Sequence, residues 1–159
     1  MNLDPNLCRH FVERAKRAIA PRPEILHHWS IDEYEDHCIW EIKGQGEPGY
    51  DIVAEVDATG VTLSAEGWHD HYPPEGDWDE FVSGVLGLIR DMLGPAMRIR
   101  EVSAGGTPFR WTVEHRVDGV WEKESECSLV FWNWFGKRTE RFYVNTVLEE
   151  RGELNEWGS

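Results

Sequence analysis

The chain has 159 residues, of which 40% are hydrophobic and 29% charged, and its formal net charge is −14. That composition is ordinary for a globular protein, and the length fits one domain with a sizeable core. The acidity disfavours a nucleic-acid ligand, whose phosphates would meet like charge.

The chain opens on Asp4 and Pro5, a helix cap followed by a residue suited to the first helical position. Leu7, Cys8, Phe11, Val12, Ala15, Ala18 and Ile19 then fall on one helical stripe, and Pro21 and Pro23 end it. The outer face of this helix carries Arg9, Arg14, Lys16 and Arg17. Residues 24–80 contain sixteen Asp or Glu and one Lys or Arg, Lys43. The basic helix is therefore expected to rest against the acidic middle of its own chain.

Residues 24–36 show no clear period. Cys38, Trp40 and Ile42 alternate with polar residues as a strand, and Tyr50 to Val56 forms the next. Gly60 to Tyr72 reads as a third strand with a polar end, completing an antiparallel meander before Pro73 and Pro74. Asp77 caps a second helix, with Glu80 three residues on, and the apolar face runs from Phe81 to Leu93. Gly94 and Pro95 close it. About five strands follow: one from Met97, Phe109–Val117, Val120–Glu126, the apolar run Leu129–Phe135 and Thr139–Leu148. Asp118-Gly119 marks a hairpin.

The expected fold is α+β, with one antiparallel sheet of about seven to eight strands. Its order is helix, three strands, helix, about five strands, with both helices on one sheet face. The domain spans residues 1–148, and 149–159 reads as a tail. Phe11, Trp40, Ile52, Val56, Leu63, Phe81, Val85, Ile89, Trp111 and Val113 are the expected core.

The densest group of reactive side chains is Trp68, His69, Asp70, His71 and Tyr72. His69 and His71 share a strand side, a spacing that some metal sites use, with Glu66, Asp77, His27, His28 or His37 as candidate third ligands. Two ligands do not define a metal, and a polar strand end is the preferred explanation, so no metal is assigned. Trp121, Trp132 and Trp134 are candidates for a contact surface, against a core role for at least half of them. No G-x-G-x-x-G, P-loop or nucleophile-elbow pattern occurs, so neither a cofactor nor a catalytic residue is expected. Cys8, Cys38 and Cys127 are odd in number and scattered, which favours a reducing compartment. With no leader pattern and no long apolar run, the expected location is the cytoplasm.

The motifs AEGWHDHY, PFRWTVEHRVDGVW and LVFWNWFGKR resemble a family of small bacterial proteins without assigned activity, over roughly residues 50–147. That resemblance implies a shared fold unit and a bacterial cytoplasmic origin, and no catalytic residue. The order of elements also resembles type III secretion chaperones, which implies a dimeric binding protein. Those chaperones end in a helix that this sequence does not show. Two functions follow as expectations. The first is a non-enzymatic module that binds a basic protein, either as a monomer or as a homodimer, with no nucleic-acid or membrane partner. An acidic DNA mimic is a special case of it. The second is a small metal-dependent enzyme centred on His69 and His71.

Overall fold

The computed structural model of the protein describes residues 6–130, 133 and 135–148. Its described elements are α1 (Leu7–Ile19), β1 (His27–Ile31), β2 (Cys38–Ile42), β3 (Ile52–Asp57), β4 (Gly60–Ala65), β5 (Trp68–Tyr72), α2 (Trp78–Met92), β6 (Met97–Ala104), β7 (Thr107–Val117), β8 (Val120–Ser128) and β9 (Arg138–Tyr143). The strands form two antiparallel sheets, β1-β2-β3-β4-β5 and β8-β7-β6-β9. Among the described residues, no helix is long and apolar enough to cross a membrane.

This corrects the single sheet expected above in three places. Residues 27–31 form a strand although their pattern hides it, because β1 is an edge strand exposed at every position except Trp29. Gly60 to Tyr72 is two strands, because the chain reverses at Glu66 and Gly67 and Ala65 pairs with Trp68. The described residues of the run from Leu129 to Phe135 do not form the covered strand expected. Leu129, Val130 and Phe135 lie outside the strands and are exposed, the last completely. Residues 131, 132 and 134 of that run lie outside the described residues. Among the described residues, five strands thus precede α2 and four follow it.

The helices also divide differently from the expected packing on one sheet face. α1 packs on β3, whereas α2 lies against α1 and reaches β6 of the second sheet. α1 buries Leu7, Cys8, Phe11, Val12, Ala15 and Ile19, the stripe read from the sequence. Its cap is Asn6, whose side chain accepts from the Arg9 N–H at 3.1 Å. Asp4 and Pro5, the expected start, lie outside the described residues. In α2, Asp77 is the cap as expected and accepts from the Glu80 N–H at 3.1 Å.

A single cluster of buried residues draws on both helices and both sheets. Of the expected core, all are buried except Phe81, which is half-buried. Each fully buried aliphatic or Phe side chain contributes about 1.5–3 kcal/mol relative to exposure. The Trp29 ring lies on the fully buried Trp40 ring at 4.8 Å with planes 2° apart, which gives the edge strand β1 its anchor.

Several contacts tie the two sheets and their connecting segments together. The hairpin turn at Gly67 rests on the Trp111 ring: a Cβ there would lie 2.1 Å from a ring carbon. The Trp68 indole N–H donates to Ser125 Oγ at 3.1 Å, and the Ser125 hydroxyl donates to Asp70 Oδ2 at 2.8 Å. Asn145 is fully buried and accepts from the Tyr50 N–H at 3.1 Å. Its amide donates to the carbonyls of Tyr50, at 2.9 Å, and Met92, at 3.1 Å. The segment after β9 is thereby tied to the loop between β2 and β3 and to the end of α2.

Candidate functional site

Strand alternation sorts the five residues singled out on β5 onto two faces. Trp68, Asp70 and Tyr72 turn toward the second sheet, where Trp68 and Asp70 hold Ser125. Burial, then the charges of Asp70 and Glu124, push the Tyr72 hydroxyl up to about 12. His69 and His71 turn the other way, onto the face of the first sheet opposite the helices.

The two histidines do not converge. His71 Nδ1 lies 2.9 Å from Thr62 Oγ1 and Nε2 lies 3.2 Å from the Thr59 carbonyl. With the proton on Nε2, the ring donates to the Thr59 carbonyl in the β3–β4 turn and accepts from the Thr62 hydroxyl on β4, so both nitrogens are used within the first sheet. His69 Nδ1 instead lies 3.7 Å from Cys127 Sγ on β8. Among the described residues, no group of three or more His, Cys, Asp or Glu could hold a metal ion. His27, His28, His37, Glu66 and Asp77 do not complete a ligand set with them.

The register places two rows on that open face. One is His28, Glu41, Val53, Ser64 and His69; the next is Ser30, Ile39, Glu55, Thr62 and His71. His28, Glu41, Glu55, His69 and His71 are exposed. Among the described residues Glu41 makes no ion pair, whereas Glu55 lies 2.9 Å from His37 Nε2. The bond to Glu55 raises the His37 pKa above the ordinary histidine value, and partial burial opposes it.

At one end of the face is a cleft of about 440 Å³, between the β2–β3 loop and the β4–β5 hairpin. Gly44, Gly49, Asp51, Val53, Ser64 and Glu66 line it. Asp51 takes Lys43 Nζ at 2.7 Å and the Gly44 N–H at 3.0 Å, which hold its carboxyl below the usual range against partial burial. Glu66 stands at the tip of the hairpin with φ +53°. Partial burial of its carboxyl, then the charge of Glu101, raise its pKa, and Arg141 opposes them.

The basic face of α1 does meet the acidic middle, as the charge layout implied. Arg9 pairs with Glu35 at 3.0 Å and Arg14 pairs with Asp79. These contacts neutralise carboxylates beside α1. They leave Glu41 and Glu66, on the opposite side of the sheet, without an ion pair among the described residues.

Trp121, one of the three candidate contact tryptophans, is half-buried. Arg98 lies 4.1 Å from its ring centre and also 4.3 Å from that of Phe142, so one guanidinium spans two aromatic rings. Arg98 Nε also donates to the buried Glu114 at 2.6 Å. Trp132 and Trp134 lie outside the described residues. Sequence reading missed Ser125, Cys127, Asp51 and Ser64 as neighbours of the site. Ser125 and Cys127 lie 55 and 58 residues from their partners, and no local spacing signals such a contact.

No family model matches the chain, and comparison with curated proteins and with solved structures finds no match.

Proposed function

We propose that the protein is a non-enzymatic binding module that presents the open face of its five-stranded sheet to a basic protein partner. The observation that carries this reading is the exposed carboxylate of Glu41, flanked across the sheet by Glu55 and at its end by the Asp51 and Glu66 cleft. Lys43 is the one Lys or Arg in residues 24–80, and Asp51 already holds it. Complementary charge on a partner would steer encounter and fix orientation. The metal-enzyme reading has less support, since Thr62 and the Thr59 carbonyl use both nitrogens of His71. The free thiols of Cys8, Cys38 and Cys127 support a reducing, cytoplasmic setting.

The test is affinity capture with wild type and with a Glu41→Lys, Glu55→Lys double variant, followed by identification of the captured proteins. A partner that wild type retains, and that either the variant or high salt releases, is the expected result, because exposed charges are screened over about 10 Å at 0.1 M salt. A Glu75→Lys, Glu80→Lys control should keep that partner. Identical capture by wild type and the face variant would overturn the reading.

A further inference from the structure

The cleft at the end of the open face has a chemistry of its own. Its charged lining residues are Asp51 and Glu66, both acidic. Its volume of about 440 Å³ falls within the roughly 300–1,000 Å³ of sites that enclose small groups. Three glycines, at 44, 46 and 49, form one wall, so backbone rather than side chains borders the space there. Asp51 is already satisfied by Lys43 and the Gly44 N–H. Glu66, exposed at the hairpin tip, makes no ion pair among the described residues; partial burial of its carboxyl and Glu101 disfavour its charge, and Arg141 offsets them only in part. A cation entering the cleft would relieve that penalty, since an opposite charge within a few ångströms favours the ionised carboxyl.

We propose that this cleft holds the ammonium or guanidinium head of a lysine or arginine side chain from the docked partner. The inference rests on the reading of the open face as a docking surface, and it assigns the anchor within that surface. Glu66 supplies the charge, and the Lys43–Asp51 pair keeps a second carboxylate at the rim.

The test is an amide NMR titration of the full chain with three probes: a peptide carrying one arginine and blocked termini, the same peptide with citrulline, and free arginine. The arginine peptide should shift resonances at residues 44–51 and 64–66. Citrulline, which keeps the shape and lacks the charge, should not. Glu66→Gln should weaken the arginine peptide at least tenfold. Absent shifts, equal shifts with citrulline, or unchanged affinity in Glu66→Gln would overturn the proposal. Free arginine bound as tightly as the peptide would also overturn it, because the site would then belong to a small solute. The Glu41→Lys, Glu55→Lys variant separates the two readings. Partner capture that depends on the face while the cleft stays silent sinks the anchor alone. Cleft binding with no face-dependent partner sinks the docking reading, and with it the partner as the source of the cation.

Discussion

Gly67→Ala tests how the two sheets are joined. The new Cβ would lie 2.1, 2.3 and 2.5 Å from three atoms of the Trp111 ring, where ordinary carbon contacts are about 3.5–4.0 Å. The ring cannot step aside freely. It is 8% exposed, and its N–H donates to Glu101 Oε2 at 2.9 Å. Either the hairpin lifts off the second sheet or the ring turns and gives up that bond. Overpacking of this kind costs about 1–3 kcal/mol and a lost hydrogen bond about 0.5–1.5 kcal/mol, so a loss of about 2–4 kcal/mol is expected. Backbone strain adds little, because the φ of Gly67 is outside the left-handed region. Urea denaturation of wild type, Gly67→Ala, Trp111→Leu and the double variant gives the coupling. In the Trp111→Leu background the alanine should cost less than about 1 kcal/mol. An equal cost in both backgrounds, or a cost below about 0.5 kcal/mol in wild type, would refute the account.

Asn145→Ala should destabilise by about 2–4 kcal/mol in the same assay, since each buried group left without a partner costs roughly 1–3 kcal/mol and Asn145 serves the Tyr50 N–H and two carbonyls. Leu63→Ala, at a fully buried position, should cost about 2–5 kcal/mol; a loss below about 1 kcal/mol would mean that β4 does not present this face to the core. Proton NMR titration should place the His37 midpoint above the ordinary histidine value, and Glu55→Gln should lower it. Because the folded pKa is the higher one, any stability from this pair is present in full below the unfolded pKa and is lost as pH rises through the folded one. Both groups are more than a third exposed, so that contribution is expected to be small.

The sequence was most legible where period and burial coincide. The α1 stripe, the Asp77 cap and the alternation of Cys38, Trp40 and Ile42 all carry the local signature of the structure they form. β1 was hidden because an edge strand anchored by one tryptophan has no alternation to read. The reversal at Glu66 and Gly67 was hidden because a two-residue turn between apolar and aromatic residues resembles a continuing strand. Leu129, Val130 and Phe135 misled for the opposite reason: apolar composition alone cannot tell a covered strand from exposed residues. Of the site, the sequence marked β5 and the regional acidity. It could not mark Ser125, Cys127 or the cleft, which exist only after β8 and the β2–β3 loop are brought beside the hairpin.

The position of β5 explains why one short stretch concentrates so many polar side chains. It is an edge strand of the first sheet, and it lies against β8, an edge strand of the second. An edge exposes unpaired backbone and invites unwanted strand pairing unless something covers or blocks it. Here the cover is β8, and the inward residues Trp68 and Asp70 bind it through Ser125 rather than through a continued ladder. The outward residues His69 and His71 are thereby left at the border of the open face, each with a polar neighbour already in place. Dense polarity on this strand thus follows from joining two sheets at their edges. It would be present with or without a reaction to catalyse, and for that reason the open carboxylates, rather than the histidine pair, carry the functional reading.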